Sequence, residues 1–156
     1  MNIEIKWHKP IKLKDGSKDD LILKIDNLDK LNGYTGVYMF CRKYAKSISP
    51  LYIGKAEDVG RRIKTHLNSI KMMKGIQNSQ NGDKVLIVGE LIGKPGQDKK
   101  KCIAIVEKAL IEHALSEGYD LLNVQGTKTP VHGISFSGYQ LAKNVTGKKI
   151  FAKANK

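Results

Sequence analysis

Between residues 36 and 70 the hydrophobic pattern changes period, and that change restricts the fold more than any other feature of the chain. Gly36-Val37-Tyr38-Met39-Phe40 and Leu51-Tyr52-Ile53-Gly54 are short runs rich in aromatic and aliphatic residues, separated by Ser49-Pro50. They predict a strand, a break and a short returning strand, together a hairpin. Apolar residues then recur at Val59, Ile63, Leu67 and Ile70, a spacing of 4, 4 and 3 that marks one face of a helix. A hairpin feeding into a helix favours an antiparallel sheet with helices laid on it.

The flanking segments extend this pattern. Ile3-Glu4-Ile5-Lys6-Trp7 and Leu21-Ile22-Leu23-Lys24-Ile25 read as strands around a turn at Lys14-Asp15-Gly16-Ser17. Val85-Leu86-Ile87-Val88 reads as a further strand between the Asn81-Gly82-Asp83 turn and a Gly/Pro loop at 93–96. A second helix is expected from about Lys99 to Glu117, stopped by Gly118. The predicted order is β-β-β-β-α-β-α followed by irregular or extended structure. This is an α+β fold, a small and mainly antiparallel central sheet flanked by helices, with an extra N-terminal hairpin and a C-terminal extension. At 156 residues the chain is expected to form a single domain, 1–156.

Charge narrows the function. Lys and Arg total 28 against 15 acidic residues, a net charge of +13. An excess of that size repels itself unless an anionic partner neutralises it, and nucleic acid is the commonest such partner. An anionic membrane is the competitor, but the aliphatic runs at 85–88 and 103–106 are far too short to span a bilayer. The first seven residues lack the apolar h-region of an export signal, so a cytoplasmic location and no membrane partner are expected. Residues 1–35 carry seven Lys and six acids, whereas Leu121 to Lys156 carry six Lys and no carboxylate. Residues 121–143 are therefore expected to face phosphate and the last few residues to fray. Cys41 and Cys102 lack metal-ligand spacing and read as inert thiols.

Four places carry candidate chemistry. Tyr38 and Tyr52 share the hairpin and lie close to glycines, which permit close approach of a backbone or ligand; they are also ordinary strand formers. Arg62 and His66, at i and i+4, share a helix face beside the apolar stripe, while Arg61, Lys64, Lys71 and Lys74 resemble a solvated basic face. Glu107 falls inside the apolar stripe of the second helix, defined by Ile103, Val106, Leu110 and Ile111. A carboxylate there needs a compensating cation, either in a structural ion pair or as a hard divalent ion such as Mg²⁺. Asn123, flanked by aliphatics, would cap or brace neighbouring backbone.

Taken together, Gly36-Val37-Tyr38, Tyr52-Ile53-Gly54-Lys55-Ala56, Arg62, His66, Glu107 and Asn123 resemble the GIY-YIG nuclease superfamily over residues 36–124. The Tyr52–Leu67 stretch is the most specific part. The resemblance implies a DNA endonuclease that hydrolyses a phosphodiester with one divalent cation, Mg²⁺ or Mn²⁺, held by Glu107. It implies that Arg62 neutralises the scissile phosphate, and that one tyrosine, Tyr38 by preference, activates the attacking water while Tyr52 holds the phosphate. Lys55, Arg62 and the metal would have to lower the pKa of the phenol. His66 would assist as base or phosphate donor, Asn123 would brace the site, and Gly54, Lys55, Arg61 and Lys64 would contact substrate. Thirteen residues separate Tyr38 from Tyr52, so an extended loop is expected around Lys43–Ser49. Residues 1–30 and 125–156, the latter a basic C-terminal extension, have no counterpart in the shared core. The alternative is a non-catalytic, basic nucleic-acid-binding module on the same fold.

Overall fold

The computed structural model describes residues 2–79, 81–124, 131–147 and 149–153. Its centre is the segment around Val85–Val88, which lies in a ten-residue strand, β7 (Asp83–Ile92). β7 pairs on one side with β5 (Gly36–Tyr44) and on the other with β1 (Glu4–Trp7) and β2 (Ile11–Lys12). β6 (Ser47–Ala56) pairs with β5 and closes the order β1-β7-β5-β6 as an edge strand. Every one of these pairings is antiparallel.

Two expectations for the N-terminal segment are corrected here. The strand around Ile3–Trp7 does not form a hairpin with 21–25; Glu4 to Trp7 pair with Ile92 to Gly89 of β7. Lys14–Asp15 is itself a short strand, β3, paired with β4 (Leu23–Lys24) in a separate two-stranded sheet. Period-2 patterning shows that a segment is a strand but not which distant strand it joins. Residues 1–30 thus supply one edge of the main sheet as well as that small hairpin.

Pro50 does not end a strand. β6 runs through it, and the register shifts between Phe40↔Tyr52 and Cys41↔Pro50, leaving Leu51 as an extra residue. A bulge on an edge strand is where a residue without an N–H is tolerated. The chain between the two tyrosines is not an extended loop either: β5 ends at Tyr44 and β6 starts at Ser47, with Ala45 in a left-handed conformation (φ 54°). The additional residues lengthen the strands.

The predicted first helix is two. α1 (Val59–Leu67) ends before Ser69, whose hydroxyl accepts from the Met72 amide and caps α2 (Ile70–Gln77). Ser is a strong N-cap, so the chain restarts a helix there, and Ile70 is left 67% exposed. The second predicted helix matches α3 (Lys99–Ser116), capped by Asp98 and followed by Gly118 at φ 86°. Beyond it lie β8 (Val131–Ser135), α4 (Gln140–Thr146) and β9 (Lys149–Lys153), with β8 and β9 paired antiparallel and β9 against α3. The fraying expected at 154–156 lies outside the described residues.

Helices cover both faces of the sheet. On one, Tyr38, Phe40, Leu86 and Val88 pack against Val59, Ile63 and Leu67 of α1 and Met73 and Ile76 of α2. On the other, Ile53 and Met39 meet Leu110, Ile111 and Ala114 of α3, closed by Leu121, and a second cluster joins Leu91 to Cys102 and Ile103. The fold is α+β with a mainly antiparallel sheet flanked by helices. Cys41 and Cys102 are both free and buried, and burial pushes the Cys41 thiol up to about 12. Among the described residues no helix is long and apolar enough to cross a membrane.

Glycine space gives a stability test. A Cβ on Gly36 would lie 1.9 Å from the Gly89 carbonyl oxygen across the ladder, whereas one on Gly75 in α2 meets nothing nearer than the Leu122 methyls at 3.5 Å. Gly36→Ala is expected to lower the unfolding free energy by about 1–3 kcal/mol or more in urea titration. Gly75→Ala is expected to leave it unchanged or raise it by up to about 1 kcal/mol.

Candidate active site

The β5–β6 pairing places Tyr38 opposite Gly54 and Phe40 opposite Tyr52, so both tyrosines project from one face of the sheet. Gly54 is small for a reason: a Cβ there would sit 2.4 Å from the Tyr38 hydroxyl oxygen. Its absence lets the Tyr38 ring lie across the neighbouring strand, nearly parallel to Tyr52 (14°), with centroids 6.4 Å apart.

α1 brings the next groups. The Asp58 carboxylate accepts from the Arg61 amide at 3.2 Å and from the Gly33 amide at 3.3 Å, fixing the helix start to the loop before β5. Helical spacing then turns Val59, Ile63 and Leu67 into the core and sets Arg62 and His66 one residue round from them. His66 is only 7% exposed and its Nε2 lies 2.7 Å from the Tyr38 hydroxyl. Tyr52 and Phe40 meet the imidazole edge-on at 5.2 and 6.1 Å.

From the other face of the sheet α3 contributes Glu107, half-buried, to the wall of the same cleft. This hollow, about 540 Å³, is lined by Tyr38, Tyr52, Gly54, Lys55, Arg61, Arg62 and Glu107. Of the remaining expected residues, His66 lies behind Tyr38, and Asn123 reaches the edge strand from the Leu122–Val124 turn, donating from Nδ2 to the Ile53 carbonyl at 2.6 Å. Lys64 is exposed and is not part of the cleft wall. Glu57, Asp58 and Thr65 also line the cleft and were not anticipated. Asp58 had a readable signal, an acid directly before an apolar helical period; Glu57 and Thr65 had none.

The electrostatics correct one expectation. Burial raises the Tyr38 hydroxyl above the ordinary phenol range, and the neighbouring Tyr52 and Glu107 add to this. Arg62 opposes through hydrogen bonding and charge but does not prevail. Burial likewise raises Tyr52 against the pull of Arg62. Arg62 by itself therefore does not bring either phenol below its ordinary range. Burial, helped by the Arg62 cation, pushes His66 down to about 4, so the imidazole touching Tyr38 is neutral at pH 7 and its unprotonated Nε2 can accept the Tyr38 hydrogen bond.

Glu107 makes no ion pair among the described residues. No cluster of three or more His, Cys, Asp or Glu side chains able to hold a metal occurs among them either. Of the carboxylates lining the cleft, Asp58 is engaged by backbone amides at the start of α1, whereas the partly buried Glu107 suits a hard cation that keeps most of its ligands as water and substrate oxygen, as Mg²⁺ does. It does not suit zinc.

The family model described as the GIY-YIG catalytic domain matches residues 34–120, more than half of the chain. That span includes Tyr38, Tyr52, Arg62, His66 and Glu107 and stops three residues before Asn123. No curated protein and no solved structure matches the chain.

The depressed His66 has a measurable consequence. Its value in the fold lies below the usual 6.5, so the unfolded chain binds the extra proton between those two values. Its contribution is intact above pH 6.5 and is lost as pH falls toward 4, on the order of 3 kcal/mol in all. Urea titrations at pH 7 and pH 4.5 should show most of this loss in the parent protein and little of it in His66→Gln.

Proposed function

This chain belongs to the GIY-YIG nuclease superfamily, and from that premise we propose that it is a DNA endonuclease dependent on a divalent metal, Mg²⁺ or Mn²⁺. The observation that carries the reading is convergence: Tyr38, Tyr52, Arg62 and Glu107, on four separate elements, line one cleft. The net charge of +13 supports a polyanionic substrate.

The roles follow from position. The Arg62 guanidinium, beside both phenols, places its fork where non-bridging phosphate oxygens would enter and neutralises charge developing there. Tyr52 donates its hydroxyl to the phosphate. Glu107 holds the metal, which when bound supplies Lewis-acid stabilisation of the phosphate and the leaving oxygen. Tyr38 takes the proton of the attacking water as its own hydroxyl proton passes to Nε2 of His66. The short contact between them makes this relay available without a preformed phenolate. Lys55 and Arg61 at the cleft mouth bind flanking phosphates, Lys64 on the outer face of α1 reaches a more distant one, and the Gly54 position admits the substrate backbone. Asn123 holds the edge strand that carries Tyr52. Of the basic residues expected to face phosphate in 121–143, Lys128 lies outside the described residues and Lys143 lies in α4.

Two measurements test this reading. With plasmid and Mg²⁺, Glu107→Gln and Arg62→Ala should each slow single-turnover nicking by about 100-fold or more, while binding to a duplex changes little. Unchanged nicking by Glu107→Gln, or binding with no cutting under Mg²⁺ or Mn²⁺, would leave the binding-module alternative. Duplex affinity should also fall with salt on a log–log plot with a slope of about −3 or steeper, as three or more neutralised phosphates require. A flat response would remove nucleic acid as the partner.

A further inference from the structure

Beyond the cleft, two more hollows follow the outer side of β6. Tyr52 forms a wall common to the cleft and to a hollow of about 210 Å³ lined by Lys71, Met72, Gly75 and Leu122. Gly75 and Leu122 in turn form the saddle leading into a third hollow, about 610 Å³, beside Ser49, Pro50, Leu51 and Tyr119. These walls accompany β6 from Ala56 back to Ser49, eight residues or about 25 Å of extended chain.

We propose that this furrow, between α2 and the segment 118–122, receives an unpaired DNA strand leaving the scissile phosphate, so that the enzyme prefers substrates with a single-stranded arm. The proposal rests on the nuclease reading and adds its substrate class. Three observations carry it. The furrow begins at Tyr52, whose side chain also lines the candidate active site, so a strand lying in it would start beside the phosphate being cut. Its walls combine aromatic and flat apolar surface (Tyr52, Tyr119, Met72, Leu122) with the cation of Lys71, the stacking-plus-charge pairing that holds single strands regardless of sequence. It lies between α2 on one side and 118–122 on the other, and its larger hollow, about 610 Å³, has the size of a small-ligand site. Gly75 keeps the saddle open, since a side chain there points at the Leu122 methyls, 3.5 and 3.6 Å from its Cβ.

The experiment uses the full chain and two substrates, a blunt duplex and the same duplex with a ten-nucleotide unpaired arm on either strand. Binding is read by fluorescence anisotropy without divalent metal, and cleavage is read with Mg²⁺. The wild type should bind one armed substrate roughly tenfold more tightly than the blunt duplex. Gly75→Gln, which suits a helix, and the surface change Lys71→Glu should each reduce that advantage to about threefold or less, leaving blunt-duplex binding and cutting unchanged. Equal loss on armed and blunt DNA would overturn the proposal, as would an advantage retained in both variants; the latter would assign the furrow to another occupant, such as a protein segment. If the wild type binds arms through the furrow but cuts nothing, the nuclease reading fails while the furrow stands, so the two failures are told apart.

Discussion

Tyr38 is a phenol buried to 1% exposure in a sheet, and a buried hydroxyl without a partner is expensive. The partner is the His66 Nε2, and much of the surrounding architecture serves that contact. Gly54 clears space for the ring, the register of β5 against β6 sets Tyr52 beside it, and the Asp58 cap fixes the turn of α1 on which His66 sits. The same burial keeps the phenol protonated and the imidazole neutral. Packing and protonation state are thus one constraint, since the burial that demands the hydrogen bond also keeps both of its partners uncharged.

Edge strands are exposed to wrong pairing, and β6 is the edge nearest the site. Three features manage it here. Pro50 removes a donor, the bulge at Leu51 twists the strand, and the Asn123 amide occupies the Ile53 carbonyl. Pro50 and Leu51 also line the hollow of about 610 Å³ beside β6.

The sheet separates two kinds of contribution. One face is sealed by α1 and α2 and holds the aromatic groups, whereas α3 packs on the other and still delivers Glu107 to the cleft. Arg62 and Glu107 therefore reach one cleft from opposite sides of the sheet. Among the described residues Glu107 makes no ion pair there.

Local pattern alone determined the elements and the identity of the chemical groups. The 4-4-3 spacing marked α1, Gly118 marked the end of α3, and an acid inside the Ile103–Ile111 stripe marked Glu107 as anomalous, because helical period and capping depend on residues close in sequence. Ser69 was readable as a helix start but was masked by Ile70 continuing the apolar spacing. Only the tertiary structure decided that β1 joins β7, that Pro50 sits in a bulge, that Asn123 meets Ile53, and that His66, not Lys55, is the group at the Tyr38 hydroxyl. Each of these depends on desolvation or on contacts between segments far apart in the chain. Neither has a period, and a phenol's pKa follows its burial, which the order of residues does not contain.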